Sequence, residues 1–464
     1  MFRRPALLAL CALAFAACDE DTPARPPLTA DELLDPEACR ECHPSHVQEW
    51  SGSMHAYAGD DPVFRAMNAR GQRETEGALG DFCVQCHAPL ALRLGLTADG
   101  TNLDDVPAHL RGVTCAFCHT VDAIEGTHNN PLRLADDGVM RGGTVDPVPS
   151  TGHAAAWSPL HDRSDLRSSA LCGACHDIVT PAGVHLERTS AEWQGSVFND
   201  DDPAVRNTCN DCHLPGRDGR IADVEGAPVR RVHDHSMPGV DIALTPFADT
   251  GAQRSLVQRS LDTTLVTELC VIPRQGGAEV EVYVENIAAG HQVPSGAALD
   301  RRLWVELIGY ANDAEVYRSG VVPDGEPIAL LDDPDLWLFR EIGYDADGNQ
   351  VHLFWQVART EAEALPSPNV LPPGSPGYVN PHVGRRYRII GETPDRVTLR
   401  VRMRPMGLEV LDELIESGDL DPAVRAAMPT FDLALATLTW TAATAEPRIT
   451  ALANREALCV PAQR

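Results

Sequence analysis

Cys115-Ala-Phe-Cys118-His119 decides how this chain is built, because four more stretches of the same form flank it. They are Cys39-Arg-Glu-Cys42-His43, Cys83-Val-Gln-Cys86-His87, Cys172-Gly-Ala-Cys175-His176 and Cys209-Asn-Asp-Cys212-His213. C-x-x-C-H is the attachment signature of c-type haem. Two thiols so spaced add to the two vinyl groups of one haem, and the adjacent His supplies a proximal nitrogen to the iron. A redox CxxC or half of a zinc site could produce one copy. A zinc reading would need the pairs in complementary sets and would leave five trailing histidines without a role. The five motifs therefore predict five haem c groups, with His43, His87, His119, His176 and His213 as proximal ligands.

Ten of the 14 cysteines belong to these motifs, leaving Cys11, Cys18, Cys270 and Cys459. Residues 1–18 read as an export signal: Arg3 and Arg4, then an apolar run from Ala6 to Ala17 too short to span a membrane. Ala-Phe-Ala-Ala-Cys18 has the form of a lipoprotein cleavage site, with Cys18 as the acylated N-terminus and Phe15 where Leu is usual. Plain cleavage after Ala-x-Ala is the alternative. Export suits c-type haem, which bacteria attach outside the cytoplasm. The expectation is a periplasmic or outer-membrane-associated lipoprotein of a Gram-negative bacterium, held to the membrane by its lipid. Cys270 and Cys459 are then the spare thiols, and an oxidising compartment predicts a disulfide between them.

The chain divides by pattern. Residues 19–35 are polar and Pro-containing and read as a tether. Residues 36–245 hold every motif at irregular spacing, among Pro, Gly, Asp and Asn clusters, which predicts short helices and long loops wrapped on haems. Helical patches are expected from His46 to Tyr57 and from Asp61 to Arg73. Glu49-Trp50-Ser-Gly-Ser53 and Glu192-Trp193-Gln-Gly-Ser196 echo one another, which suggests a reused local helix. Residues 246–464 change character. Alternating apolar residues predict strands at 267–272, 280–285, 303–310, 315–319, 339–344, 351–357, 385–390, 397–403 and 433–441, with one helix from Gly407 to Ser417. The fold class expected is α+β: a mostly helical and looped pentahaem domain followed by an all-β, sandwich-like domain. Asp345-Ala-Asp-Gly-Asn349 lacks the downstream Glu of a calcium loop and reads as a hairpin turn.

Composition bounds the partners. The chain has 464 residues, 43% apolar but only 5% aromatic, so haems would supply the large flat apolar surfaces of the first half. A formal net charge of −29 argues against nucleic acid, whose binding needs cationic side chains to neutralise phosphate. It could steer a basic redox protein, or simply keep the surface solvated. All 38 basic residues are Arg.

The second axial position decides what each iron does. Twelve histidines lie outside the motifs. Placement favours His55 on the helix after the first motif, His128 a short loop after His119, His161 before the fourth motif, and His233 or His235 after the last, with Met237 as an alternative. His291, in Asn286-Ile-Ala-Ala-Gly-His291-Gln-Val-Pro-Ser-Gly, would let the second domain cap a haem; a structural turn histidine is the other reading.

CRECHPSHVQEWSGSMHA (39–56), GVTCAFCHT (112–120), SPLH (158–161), LCGACHD (171–177) and TCNDCHLP (208–215) together resemble the multihaem cytochromes c related to hydroxylamine oxidoreductase and pentahaem nitrite reductase. The resemblance is nearest the haem-stacking carrier branch represented by the four-haem electron acceptor of ammonia oxidisers. It covers residues 36 to about 245, and AGHQVPSG (289–296) resembles a piece that trails such domains. It implies close-packed haem pairs and distal histidines supplied from elsewhere in the chain, which supports His55, His128 and His161. The Lys-ligated CxxCK haem of the nitrite reductases cannot exist here, since the chain contains no Lys. The cross-linked Tyr of hydroxylamine oxidoreductase has only Tyr57 as a counterpart before residue 283, and nothing else marks it for that role.

The reading is an exported pentahaem electron carrier with bis-His haems. Its rivals are an oxidoreductase of a small nitrogen or sulfur compound at one five-coordinate haem, and a subunit of a larger haem conduit.

Overall fold

The structure, a computed structural model, describes residues 27–148, 152–368 and 383–461. The export segment, Cys18 and the start of the tether lie outside the described residues.

Up to residue 245 the described chain is short helices, two-stranded pieces and loops. The longest element there is the 13-residue helix Pro62–Glu74. Asp61 caps it by accepting from the Val63 amide at 2.9 Å, and Pro62 starts it without wasting an amide donor. The patch expected as one helix from His46 to Tyr57 is two, Pro44–Ser51 and Met54–Tyr57. Gly52 ends the first, and the Ser53 hydroxyl accepts from the Ala56 amide to start the second. Phe64, Val84, Leu90, Leu103, Phe117 and Val121 form a small buried cluster around the second and third motifs. The polypeptide thus contributes some apolar interior of its own here.

The C-terminal half packs two antiparallel sheets face to face. In chain order its strands are β1 Leu265–Arg274, β2 Gly277–Asn286, β3 Arg302–Ala311, β4 Ala314–Ser319, β5 Trp337–Tyr344, β6 Gln350–Val351 and β7 Arg359–Glu363. They continue with β8 Val383–Ile390, β9 Arg396–Arg404, β10 Phe431–Asp432, β11 Leu438–Thr441, β12 Glu446–Ile449 and β13 Glu456–Pro461. One sheet runs β8–β2–β1–β13–β12. The other runs β6–β5–β3–β9–β10, with β4 also on β3, β7 on β5 and β11 on β9. Alternate residues point inward: Val280, Val282 and Val284 from β2 meet Leu303, Val305 and Leu307 from β3 and Val397, Leu399 and Val401 from β9. Burying each such side chain is worth about 1.5–3 kcal/mol. This two-sheet core, beside the helical first half, makes the fold α+β.

Cys270 and Cys459 sit directly opposite one another in the β1–β13 ladder and form a disulfide. It joins the first and last strands on the face away from the main core, beside Ile272 and Tyr283.

Two expected strands are shorter in the structure. The segment after β6 leaves the sheet as a turn at Phe354–Gln356, and β7 then pairs with the opposite edge of β5, where Gly343 meets both Val351 and Thr360. The reason is a competing surface: Leu353 is buried with Val63, Ala66 and Met67, and the Trp355 indole donates to Glu74 at 2.9 Å. The stretch 433–441 likewise begins with a 3-10 turn and is a strand only at Leu438–Thr441. A helix at Thr250–Asp262, absent from the sequence reading, buries Val257 and Leu261 against the sheets.

Helix Leu408–Glu416 packs Leu408, Leu411 and Leu414 against helix Pro62–Glu74, with Arg73 ion-paired to Asp419 at 2.6 Å. The two halves therefore share an apolar junction. Among the described residues no helix is long and apolar enough to cross a membrane.

Candidate haem sites

One helical turn explains why these residues recur at this spacing. Residues i, i+3 and i+4 lie on the same side of a helix, so a turn presents two thiols and one imidazole together. Cys115–His119 and Cys209–His213 are helices of five residues, each capped by the preceding threonine, Thr114 or Thr208. In the other motifs the His amide bonds back to the first Cys carbonyl: His43 to Cys39 at 2.8 Å, His87 to Cys83 at 3.3 Å and His176 to Cys172 at 3.0 Å.

Each motif histidine is then held by its Nδ1. His43 donates to the Ile221 carbonyl at 2.8 Å, His87 to Ala58 at 3.1 Å, His119 to Arg141 at 2.5 Å and His213 to Pro238 at 2.7 Å. A carbonyl can only accept, so Nδ1 carries the proton and Nε2 keeps its lone pair. That is the arrangement of a metal-ligating imidazole oriented through its other nitrogen. His176 differs, because its Nδ1 meets the Glu187 carboxylate at 3.3 Å. Burial pushes His119 and His213 down to about 4, and lowers His43 and His87 too, so these rings stay neutral with a lone pair to give. Burial acts the same way on His176, but the Glu187 hydrogen bond and charge overcome it and raise that ring to about 9.

The second ligands can be tested by distance. With metal–imidazole bonds of about 2 Å, two rings on opposite sides of one iron have nitrogens about 4 Å apart and centroids a little over 6 Å apart. His213 and His291 are 6.5 Å apart with planes 19° from parallel. His119 and His235 are 6.3 Å apart at 25°. His176 and His55 are 6.2 Å apart at 47°. His43 and His153 are 6.1 Å apart at 33°. His235, His291 and His153 donate their Nδ1 to the carbonyls of His233, Gln292 and Ala154, at 2.9, 2.8 and 3.0 Å. They therefore present Nε2 as the motif histidines do. His55 uses the Met237 sulfur instead, at 2.8 Å.

The remaining sequence candidates fall elsewhere. His161 stacks on His119 at 5.4 Å; its Nε2 donates to the Cys118 carbonyl at 2.8 Å, and its Nδ1 is buried without a hydrogen-bond partner. Its available nitrogen is thus Nδ1. His128 is half-buried, with its ring against His185 rather than a motif histidine. His233 bonds the Leu214 carbonyl at 3.0 Å and touches no motif ring. His46 lies 6.0 Å from His43 and 4.8 Å from His235, between the first and third motifs. His153 was missed because nothing in the sequence connects it to a motif 110 residues away. Among the described residues no second histidine ring faces His87; Phe64 stacks on it at 4.1 Å.

The Glu-Trp echo proves to be a clamp used twice. The Trp50 indole donates to the Val113 carbonyl at 2.8 Å, and Trp193 donates to Asn207 at 2.9 Å. Each of those carbonyls lies two residues before a motif, the third or the fifth. The Glu49 carboxylate accepts from the His235 amide at 3.1 Å, and Glu192 accepts from the Gln292 amide at 3.1 Å. One side of each helix therefore fixes a proximal motif and the other fixes the loop of the facing histidine.

The motifs also touch one another. Cys39 lies beside Cys115, Cys86 beside Cys175, and Cys172 beside Cys209, while Cys118 lies near Cys175. The first motif thus meets the third, and the fourth is a junction for the second, third and fifth. Among the described residues no three metal-ligating side chains of the motifs converge on one point; the sole such group is Glu268 with the disulfide pair Cys270 and Cys459. Zinc-type assembly of the motif cysteines is not what this fold builds.

The model of the family "Cytochrome c554 and c-prime" matches residues 38–120. No curated protein matches. The crystal structure of a penta-heme cytochrome c552 from Thermochromatium tepidum superposes with a TM-score of 0.62 at 20% identity, covering 88% of this chain and 99% of that one. At that identity the likeness establishes the fold. With the five motifs, these matches support a multihaem c-type cytochrome that carries electrons.

Proposed function

We propose that this chain is an exported pentahaem cytochrome c that passes electrons between redox proteins through bis-His haems in close contact. One observation carries the reading: four of the five CxxCH histidines face a second histidine ring at 6.1–6.5 Å. An iron with two nitrogen ligands offers no open position, and such a site exchanges electrons rather than substrate. The pairs are His43 with His153, His119 with His235, His176 with His55 and His213 with His291. Haem supplies the one-electron iron couple; the chain holds ligands at fixed spacing, shields them from water and sets their donor strength.

The closeness of the motif cysteines to one another supports haems near enough for electrons to move among them. The family match over residues 38–120 supports the haem-stacking carrier lineage, and the structural relative, itself a penta-heme cytochrome, supports five groups. The same reading makes Cys18 a lipid anchor at a periplasmic or outer-membrane surface and the partners redox proteins, basic ones being favoured by the charge of −29. Assembly into a larger conduit is tested by sizing in detergent.

A second reading has its own observation: among the described residues no second histidine ring lies opposite His87, and Phe64 packs flat on the face of that ring at 4.1 Å. An iron with an exchangeable position there could bind a small substrate. Spectra of the reduced protein with carbon monoxide separate the two. A wholly low-spin protein that ignores carbon monoxide is a carrier; one high-spin iron in five that binds it favours the oxidoreductase.

A further inference from the structure

The five proximal histidines are not equivalent. Four rest on backbone carbonyls, whereas His176 rests on Glu187, whose side chain is only 14% exposed. A carbonyl offers a partial charge; a carboxylate offers a full one, and a charge-assisted bond is roughly twice as strong. The His176 side chain is half-exposed, so water screens part of this charge. At the far end of the same axis the contrast runs the other way. The Nδ1 of His55 meets the thioether of Met237, a weak acceptor, whereas His153, His235 and His291 have carbonyls.

We infer that Glu187 sets the fourth haem apart from the other four and gives it the lowest reduction potential; the inference rests on the pentahaem reading above. The carboxylate accepts the Nδ1–H hydrogen bond and sets a negative charge beside the His176 ring. A ligand so polarised donates more strongly and stabilises ferric over ferrous iron. The fourth motif lies beside the second and fifth and near the third. The haem so tuned therefore stands at the junction, and Glu187 governs how readily electrons cross between the first and third motifs and the rest. Arg301, already ion-paired to Asp241 at 2.5 Å, lies close enough to feel the Glu187 charge and moderates the effect without cancelling it.

The test is redox potentiometry of the intact, haem-loaded chain, with Glu187→Gln and Glu187→Asp beside the unaltered protein. The expected result for Glu187→Gln is a rise in one midpoint of five by at least tenfold in its reduction equilibrium, about 59 mV for a one-electron couple. The other four stay in place, and Glu187→Asp shifts that midpoint less. Five unmoved midpoints in a Glu187→Gln protein whose mass includes five haems overturn the role of Glu187 and leave the pentahaem reading intact. An unaltered chain with fewer than five haems overturns both. If Glu187→Gln fails to load haem, electron paramagnetic resonance of the unaltered protein decides. One low-spin signal of compressed anisotropy supports the inference, and five signals of one type contradict it.

Discussion

Removing Glu192 should loosen one iron ligand without touching iron, and the structure sets the size of the effect. Its carboxylate accepts from the Gln292 amide at 3.1 Å and from the Ser295 hydroxyl at 2.6 Å. Those bonds hold the loop that carries His291 in front of His213. Hydrogen bonds to a charged group are worth about 1.5–3 kcal/mol each, so Glu192→Ala removes roughly 3–6 kcal/mol of support. Burial raises the Glu192 carboxyl, and part of that support is offset by the cost of keeping its charge dry, so the lower figure applies. At about 1.4 kcal/mol per tenfold, 3 kcal/mol weakens the hold of His291 roughly a hundredfold. Glu192→Ala should therefore show a high-spin fraction, and carbon monoxide binding, confined to one haem in five. His291→Ala should convert that haem completely while the mass still includes five haems. Glu49→Ala should do the same through His235 at the third haem, because the two helices are used alike. If Glu192→Ala and His291→Ala both stay wholly low-spin, His291 is a turn histidine and the clamp argument is wrong.

His153→Ala should turn the first haem high-spin, whereas His128→Ala should leave the spectrum unchanged; the reverse result would exchange their roles. Opening the Cys270–Cys459 disulfide with a Cys270→Ala/Cys459→Ala double variant frees a loop of 189 residues, an entropic loss of about 5 kcal/mol, and should lower the melting temperature with haem content intact. Asp61 is pushed up from 3.8 to about 6, chiefly by burial. Its folded pKa lies above the unfolded one, so its contribution to stability is full below about pH 4 and lost as pH rises through about 6. Asp61→Asn keeps the helix cap and should raise thermal stability at pH 7.5, by at most about 3 kcal/mol for a two-unit shift, with no gain at pH 4. Equal gains at both values would refute the burial argument.

The covalent half of each site was legible because it is local: two thiols and a ring within five residues need one helical turn. The strands of the sandwich were legible where alternation is clean, as in Leu303, Val305 and Leu307. They were misread where another surface competed, as when Leu353 and Trp355 left the sheet for helix Pro62–Glu74. The facing histidines are a different kind of problem. His235 pairs across 116 residues and His153 across 110, and no periodicity spans such gaps. His55, His235 and His291, chosen from placement, each lie 6.2–6.5 Å from a motif histidine ring, whereas His128, chosen by proximity in sequence, lies against His185. The Glu-Trp echo was visible, but its purpose was not, because a clamp is defined by what lies at its two ends.

Intact mass spectrometry of the exported, mature chain tests the central claim most directly. The account predicts the polypeptide mass plus five covalently bound haems, retained after denaturation. A chain lacking that addition, or holding its cysteines as free thiols, contradicts it.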